Sequence, residues 1–541
     1  MATRSMGQDV SEHEADGFRL TIDDNARQGW TVANGLAVGA LAGLIASGVM
    51  LWVGREWGGS IVAQLIAERT TAELPLAAVR ETLERLEENA KPAALVGITI
   101  GQVAAGALVA VLYSRFARRG LAGRATGALV LTLIAWLVLS FVAAPLGDIG
   151  VLALDAPLGT GDTQLGFVMV SAVYGIIVAA LVPWPRLEGE DEGRRAVLRL
   201  AGLGALALPA LWAARYVGTH ANRLRTAADL DAGFHETAGS GPFEFARMPE
   251  FYTPVDSFYV VSKNLVDPTV STLDWTLEVG GLVRNPLSLS YSAILDRPSR
   301  EMASTLECIS NTVGGKYISN TIWTGFPLRD LLDEAGLESS VVDLKLEAAD
   351  GYTESIPLGE ALQADTLLVY LMDGQPLTTE HGFPLRLIVP GIFGMKNVKW
   401  ITRIEAVAED YKGYWQERAW SDVATVVTMS RIDSPPRNFK AKLGETVPIG
   451  GVAFAGDRGI SKVEVSLDDG QTWHEAQLSD VPSNRTWRLW RYDYLADEPG
   501  IRKLVVRATD GTGELQTAEE REPLPDGATG YDRDWFEVLA D

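Results

Sequence analysis

The chain runs to 541 residues, 47% of them hydrophobic, with a mean hydropathy of +0.08 and a formal charge of −23. That length holds three or four units of ~150 residues each, and the acid excess excludes a nucleic-acid partner, which needs a basic footprint. A single cysteine, Cys308, excludes an internal disulfide and any four-cysteine zinc or iron–sulfur site.

The average hides two halves, because residues 32–214 are strongly apolar while 215–541 read as an acidic soluble protein. After a polar tail, 1–31, the run Asn34–Val53 supplies about 20 residues without a charge, enough to cross a ~30 Å hydrocarbon core as helix. Ala93–Tyr113, Ala125–Leu146 and Leu165–Val182 repeat that pattern, so 32–185 is expected to hold four transmembrane helices. The loop after the second run carries Arg115, Arg118, Arg119 and Arg124 and no acid, and the loop after the third carries Asp148, Asp155 and Asp162 and no base. The positive-inside rule then puts the N-terminus and the arginine loop in the cytoplasm and the acidic loop outside, in a multi-pass protein of the cell membrane. The histidines are His13, His220, His235, His381 and His474, so no bis-histidine haem lies within the spans. Their interiors hold no Lys, Arg, Asp or Glu either, which argues against an ion or proton pathway and for anchoring or partner docking.

Residues 186–217 contain Arg194-Arg195 ahead of a fifth apolar run, Leu200–Ala214. The pattern resembles a twin-arginine export signal placed internally; an ordinary helix with positive flanks accounts for it equally. Both readings carry the remaining ~325 residues to the outer face, periplasmic or extracellular. Whether the segment is a retained anchor or is cleaved near Ala213–Ala214 stays open at this point.

A polar linker, 218–250, precedes the outer half. Tyr252–Asn264 is an extended run punctuated by Pro254, and Trp275–Val283 alternates like a strand. PLRDLLDEAGL reads as a helix closed by Gly336. Two strand–turn–strand units follow, bending at Asp350-Gly351 and Asp373-Gly374, and strands around a glycine-rich loop, Gly391–Lys399, close the unit. Short strands mixed with few helices, without βαβ regularity, indicate an α+β domain. From about Ser430, evenly spaced alternating strands with DG and GG turns indicate an antiparallel β-sandwich, with Trp473, Trp487 and Trp490 expected in its core.

Cys308 stands in the stretch ASTLECISNTVGGKYISNTIWTGFPLRDLL. A free cysteine is by residue type most often a small buried hydrophobe. The residues after it, Ser310, Asn311, Thr312, Gly314 and Gly315, instead make a loop suited to face a polar ligand.

Seven blocks in order, FYVVSKN, LECISN, WTGFPLRDLL, ADGY with SIP, HGFPLRLIVPG, NVKW and VEVSLDDGQTW, resemble the sulfite oxidase family of molybdenum enzymes from about Tyr252 to the C-terminus. The resemblance implies a molybdopterin-binding domain over 251–428 and an immunoglobulin-like domain over 429–541 that often mediates dimerisation, hence a homodimer. It implies that the Cys308 thiolate binds molybdenum, which suits a soft ligand. It assigns His381 and Arg386 to the pterin, an arginine being able to grip its phosphate with two donors. Asn397, Val398 and Lys399, Tyr259, Val260, Val261, Ser262 and Lys263, and Asp350 fall on further pterin-contacting positions. Asn311 and Trp420 join Cys308 around the reacting centre.

Departures from the family pattern bear on the substrate. Val261, Thr312 and Val313 stand where sulfite-oxidising members carry arginines, and Trp420 where they carry a tyrosine. An oxyanion pocket lacking those charge-assisted hydrogen bonds binds sulfite poorly; Lys316 is the nearest replacement charge in sequence. The resemblance implies an oxidoreductase with molybdenum–molybdopterin; the apolar runs add a membrane anchor, and the histidine and cysteine positions leave no haem or iron–sulfur cluster expected in this chain. Oxygen-atom transfer with a small-molecule substrate would pass electrons to a separate carrier, a cytochrome or membrane haem protein. The rivals are a sulfoxide reductase-type enzyme, whose relatives lack the C-terminal sandwich, and a non-catalytic membrane-tethered binding or assembly module on the same fold.

Overall fold

The computed structural model describes residues 32–57, 64–66, 69, 90–117, 124–146, 149–154, 160–182, 243, 245–264, 267–273 and 275–540. The tail 1–31, the twin-arginine segment with the fifth apolar run, and the linker up to residue 242 lie outside the described residues. The chain divides into two compact units.

The first unit takes in residues 1–50, 97–139 and 167–209. Its helical parts belong to helices Val32–Trp57, Ala90–Ala117, Arg124–Val138 and Thr160–Leu181. They carry four stretches long and apolar enough to cross a membrane, Val32–Gly54, Ala94–Ser114, Thr126–Ala143 and Thr163–Leu181, the third continuing past Val138 through a π turn. Small residues set the spacing between them: a β-carbon on Gly39 would lie 2.5 Å from the Gly106 carbonyl oxygen, so backbones meet where larger side chains would hold them apart. Polar side chains on these faces pair with one another. Tyr174 Oη donates to the Gly106 carbonyl at 2.6 Å, and Ser47 Oγ to Gln102 Oε1 at 2.9 Å. After Val138 the third helix opens into one π turn, Leu139–Ala143, which the apolar run alone does not reveal.

The second unit holds the two strand-rich domains of the C-terminal half. In the first of them, five strands run in the order Leu287–Ser290, Thr276–Gly281, Ile401–Val407, Asp343–Ala348, Thr353–Pro357. Thr276–Gly281 pairs parallel with Ile401–Val407 and every other pair is antiparallel. A second, antiparallel sheet joins Arg300–Glu307, Ile318–Pro327, Leu367–Met372 and Gln375–Pro376, with Arg386–Ile388 also on Leu367–Met372. The turn residues do what their types allow. Asp373 and Gly374 take φ 51° and 69° between the hairpin strands, and Gly336 closes helix Leu328–Ala335 at φ 70°. The α+β class is therefore present.

The C-terminal domain packs two sheets. Met429–Ser434, Thr446–Phe454, Arg488–Leu495 and Gln477–Leu478 form one; Lys440–Lys442, Asp532–Leu539, Gly500–Asp510, Ile460–Ser466 and His474–Glu475 form the other. All pairs are antiparallel except Lys440–Lys442 with Asp532–Leu539. Alternating residues from both sheets, among them Ile449, Trp490, Val463, Leu504 and Phe536, fill the space between them. The three tryptophans expected there separate. Trp490 is in that core, whereas Trp487 packs into the core of the preceding domain and donates Nε1–H to the Phe251 carbonyl. Trp473 is only half-buried, because the turn held by the Asp468 carboxylate places it under the Arg507 guanidinium, 3.9 Å from its ring centre.

Candidate active site

Strand Arg300–Glu307 delivers Cys308, and the loop that follows returns as strand Ile318–Pro327, Glu307 pairing with Ile318 across its neck. Three backbone bonds shape the loop: Cys308 N–H donates to the Tyr317 carbonyl, Asn311 N–H to that of Cys308, and Gly315 N–H to that of Thr312, each at 2.9 Å. Asn311 laces the neck, donating Nδ2–H to Glu307 Oε1 at 3.0 Å and accepting the Tyr317 N–H at 3.0 Å. Its side chain is buried in the loop and stands behind the cysteine instead of lining the cavity. Cys308 is 7% exposed with Sγ 3.0 Å from Ser310 Oγ. Burial pushes its thiol up, against the hydrogen bonds of Ser310, which lower it. Burial likewise lifts the adjacent Glu307 carboxyl to about 7.

Cys308 opens onto a cavity of about 130 Å³. Tyr259, Val260, Val261, Ser262, Lys263, Asp350, His381, Arg386, Asn397, Val398, Lys399 and Trp420 share its lining, drawn from five separate segments. Arg386 donates Nη1–H to the His381 carbonyl at 3.1 Å and Nη2–H to that of Asn397 at 3.3 Å. Its buried Nε–H finds no partner among the described residues, and burial pulls the guanidinium down to about 10. His381 lies edge-on to Phe258 with Nε2 3.3 Å from the Val255 carbonyl. Burial, then the Arg386 cation, pulls its imidazole down to about 4, so it is neutral at pH 7. Lys263 Nζ donates to the Asp350 carbonyl at 3.1 Å, and Asp350 Oδ2 accepts from Asn264 Nδ2 at 2.8 Å. Lys399 Nζ donates to the Glu380 carbonyl and lies 4.3 Å from the Trp400 ring centre.

The Asn397 side chain is spent on its own loop: Oδ1 accepts the Val389 N–H at 2.7 Å, and Nδ2–H reaches the Ile392 and Phe393 carbonyls. What it offers the cavity is therefore the placement of Val398 and Lys399. Gly394 keeps that wall close, since a β-carbon there would lie 2.8 Å from Tyr259 Oη. Thr312, Val313 and Lys316 are exposed and lie outside the lining.

Sequence reasoning passed over three neighbours that complete the cavity. Trp415 stacks on Trp420 at 4.1 Å, and Tyr352 and Met395 form an adjoining wall. Tyr352 Oη lies within hydrogen-bond reach of two acceptors, Glu354 Oε2 at 2.8 Å and the Met395 carbonyl at 2.9 Å, so its one proton ties the ring to a buried carboxyl on one side and to the Met395 backbone on the other. Trp415 stands five residues before Trp420 and Tyr352 two after Asp350, close in sequence to residues that the family resemblance singles out. Lysines, an arginine with a free buried N–H and a soft thiol around one cavity make a donor set that fits an anionic pterin carrying a thiolate-bound metal.

Residues 264–415 match the oxidoreductase molybdopterin binding domain and residues 421–524 the Mo-co oxidoreductase dimerisation domain. Sulfite oxidase of Arabidopsis thaliana is 27% identical over 53% of this chain and 88% of its own length. The NADH nitrate reductase of Solanum lycopersicum is 28% identical over 53% of this chain and 38% of its own. The sulfane dehydrogenase SoxCD structure from Paracoccus pantotrophus matches at a TM-score of 0.48 and 23% identity, over 59% of this chain and 92% of that one. The chain spans 60% of rat and 50% of fruit-fly mitochondrial sulfite oxidase.

Proposed function

We propose, from the premise that this chain is a molybdenum oxidoreductase carrying the molybdopterin-binding and dimerisation domains of the sulfite oxidase family, that it is membrane-anchored and works on the outer face. In this reading the Cys308 thiolate is the protein ligand to molybdenum, while Arg386, Lys399, Lys263 and neutral His381 hold the pterin. When bound, the group supplies two-electron redox chemistry coupled to transfer of an oxygen atom to or from a small substrate. The chain's own residues bind and orient: Asn311 holds the cysteine loop, Asn397 sets the backbone under Lys399, and the Trp415–Trp420 stack limits access of water. Electrons leave to a separate carrier, and the C-terminal domain pairs two copies.

The observation that carries this reading is the convergence of Cys308 with the cationic groups on one cavity. The full chain, purified from cells supplied with molybdate, is expected to hold molybdenum in near-equimolar amount, and Cys308→Ser to lose most of it together with activity. Molybdenum absent from the wild type, or equally abundant in Cys308→Ser, overturns the assignment.

A second reading of the substrate rests on the cavity rim. Val260 and Val261, 42% and 40% exposed, lie beside Met395 and the stacked tryptophans, and the cavity's lysines already have partners. An apolar rim favours a neutral oxo compound such as a sulfoxide over sulfite. Side-by-side assays of sulfite oxidation and sulfoxide reduction decide it, with the larger kcat/KM identifying the class.

A further inference from the structure

Behind the Cys308 loop lies the C-terminal domain, in contact with the loop along its outer edge. Arg431, on strand Met429–Ser434, is buried and donates Nη1–H to the Gly315 carbonyl at 2.9 Å. Its Nε forms an ion pair at 2.9 Å with Asp433 Oδ1 on the same strand, and its own carbonyl accepts Trp490 Nε1–H at 3.2 Å, so the backbone at Arg431 is held to the sandwich core. Asp532, on the last strand, accepts the Ile432 N–H at 2.8 Å with Oδ2. Its other oxygen fills the space beside Gly314: a β-carbon there would lie 2.7 Å from Oδ1, at a φ of 71° that disfavours any side chain. The strand feeding the loop is tied to the same domain. Thr305 N–H donates to the Arg485 carbonyl at 2.9 Å, and Thr305 Oγ1 accepts the Trp487 N–H at 2.9 Å.

We propose that Arg431 and Asp532 are positioning residues that brace the Cys308–Tyr317 loop from the C-terminal domain, making that domain a structural half of the thiol's site as well as a dimerisation module. The loop closes its own neck through Asn311, but its far turn, Thr312–Lys316, has exposed residues on its free side and needs an external strut. Arg431 supplies it by charge-assisted hydrogen bonding to a carbonyl, the stronger kind of such bond. The functional meaning rests on the assignment of Cys308 as the metal's ligand; the bracing itself does not.

The lone cysteine makes the test direct, since any thiol signal comes from position 308. The full chain from molybdate-starved cells, in detergent, is treated with iodoacetamide under native conditions. Wild type is expected to alkylate slowly, Arg431→Gln at least tenfold faster, and Arg431→Lys, which keeps a cationic donor, within about threefold of wild type. Gly314→Ala, which leaves the sandwich untouched but pushes the turn off Asp532, is expected to match Arg431→Gln. Arg437→Gln, a surface ion-pair change, stays at the wild-type rate. In the loaded enzyme, Arg431→Gln and Gly314→Ala are expected to shift the molybdenum(V) paramagnetic resonance signal. Where Arg431→Gln lowers the melting temperature globally, Gly314→Ala alone decides. Alkylation within twofold of wild type in folded Gly314→Ala overturns the proposal. That outcome is separate from the metal content of Cys308→Ser, which tests the ligand assignment.

Discussion

Lys396 has no exposed side-chain surface, and neither has its partner Glu354, 3.1 Å away. Glu354 Oε1 also accepts from Gln416 Nε2 and from the Ser355 N–H at 2.9 Å, Oε2 accepts from Tyr352 Oη at 2.8 Å, and Lys396 also donates to the Ser355 carbonyl at 2.8 Å. A buried pair so completely bonded contributes little net stability, but breaking it strands a charge. Lys396→Met is therefore expected to cost about 3–5 kcal/mol, and Lys396→Met with Glu354→Gln to recover more than half of that. Thermal melts of the detergent-solubilised chain check it; equal losses in single and double variants would show that Glu354 is not the stranded group. His381 gives a pH dependence with a definite sign. Its folded value near 4 lies below the ordinary 6.5, so the unfolded chain binds the extra proton between those values. The stability it contributes is present above pH 6.5 and lost as the pH falls toward 4, on the order of 3 kcal/mol in full. Melting temperatures of cofactor-free wild type and His381→Gln measure this by difference. The wild type is expected to lose more stability between pH 6.5 and 4.5, and parallel curves would refute the burial of a neutral imidazole.

At the scale of elements, what could be read beforehand was what local chemistry encodes. Gly336 closes its helix and Asp373-Gly374 bends its hairpin because few other residues tolerate those φ values. The four apolar helices were legible because length and composition are sufficient signals. The site was half-legible. Ordered blocks named residues that one cavity collects, but spacing along a chain does not say which way a side chain turns. Asn311 faces Glu307 and not the cavity, and Asn397 is consumed by its loop. Tyr352, Met395 and Trp415 arrive from different segments, and the Glu354–Lys396 link joins positions 42 residues apart, beyond any local period. Arg431 belongs to another domain altogether. Trp473 went astray for the converse reason, since alternation places it on a strand face but a side-chain-held turn moves it outward.

For the whole molecule, orientation decides whether the catalytic domain meets substrates outside the cell, and it rests on loop charge. The first apolar stretch is 23 residues long, about 35 Å as helix, which exceeds the ~30 Å core and requires only a tilt. Length therefore says that these stretches are long enough to span and nothing about direction. Direction comes from Arg115, Arg118, Arg119 and Arg124 on one side and Asp148, Asp155 and Asp162 on the other. Arginine is held back from translocation, whereas acidic residues contribute little, so the arginine loop sets the sign. In the proposed topology an even number of spans would return the chain to the cytoplasm, and the fifth apolar run of the sequence, as anchor or as export signal, would carry the catalytic domain out. A chain with Cys308→Ser has no thiol, which makes single reintroduced cysteines clean reporters. In intact cells or spheroplasts, Asp155→Cys is expected to react with a membrane-impermeant maleimide, and Arg119→Cys to react only after permeabilisation. A cysteine at Lys316, exposed on the catalytic domain, is expected to follow position 155. Labelling of position 316 only after permeabilisation, with position 155 accessible, would retain the four-helix topology and place the catalytic domain in the cytoplasm. Reversal of positions 119 and 155 would overturn the charge-based orientation itself.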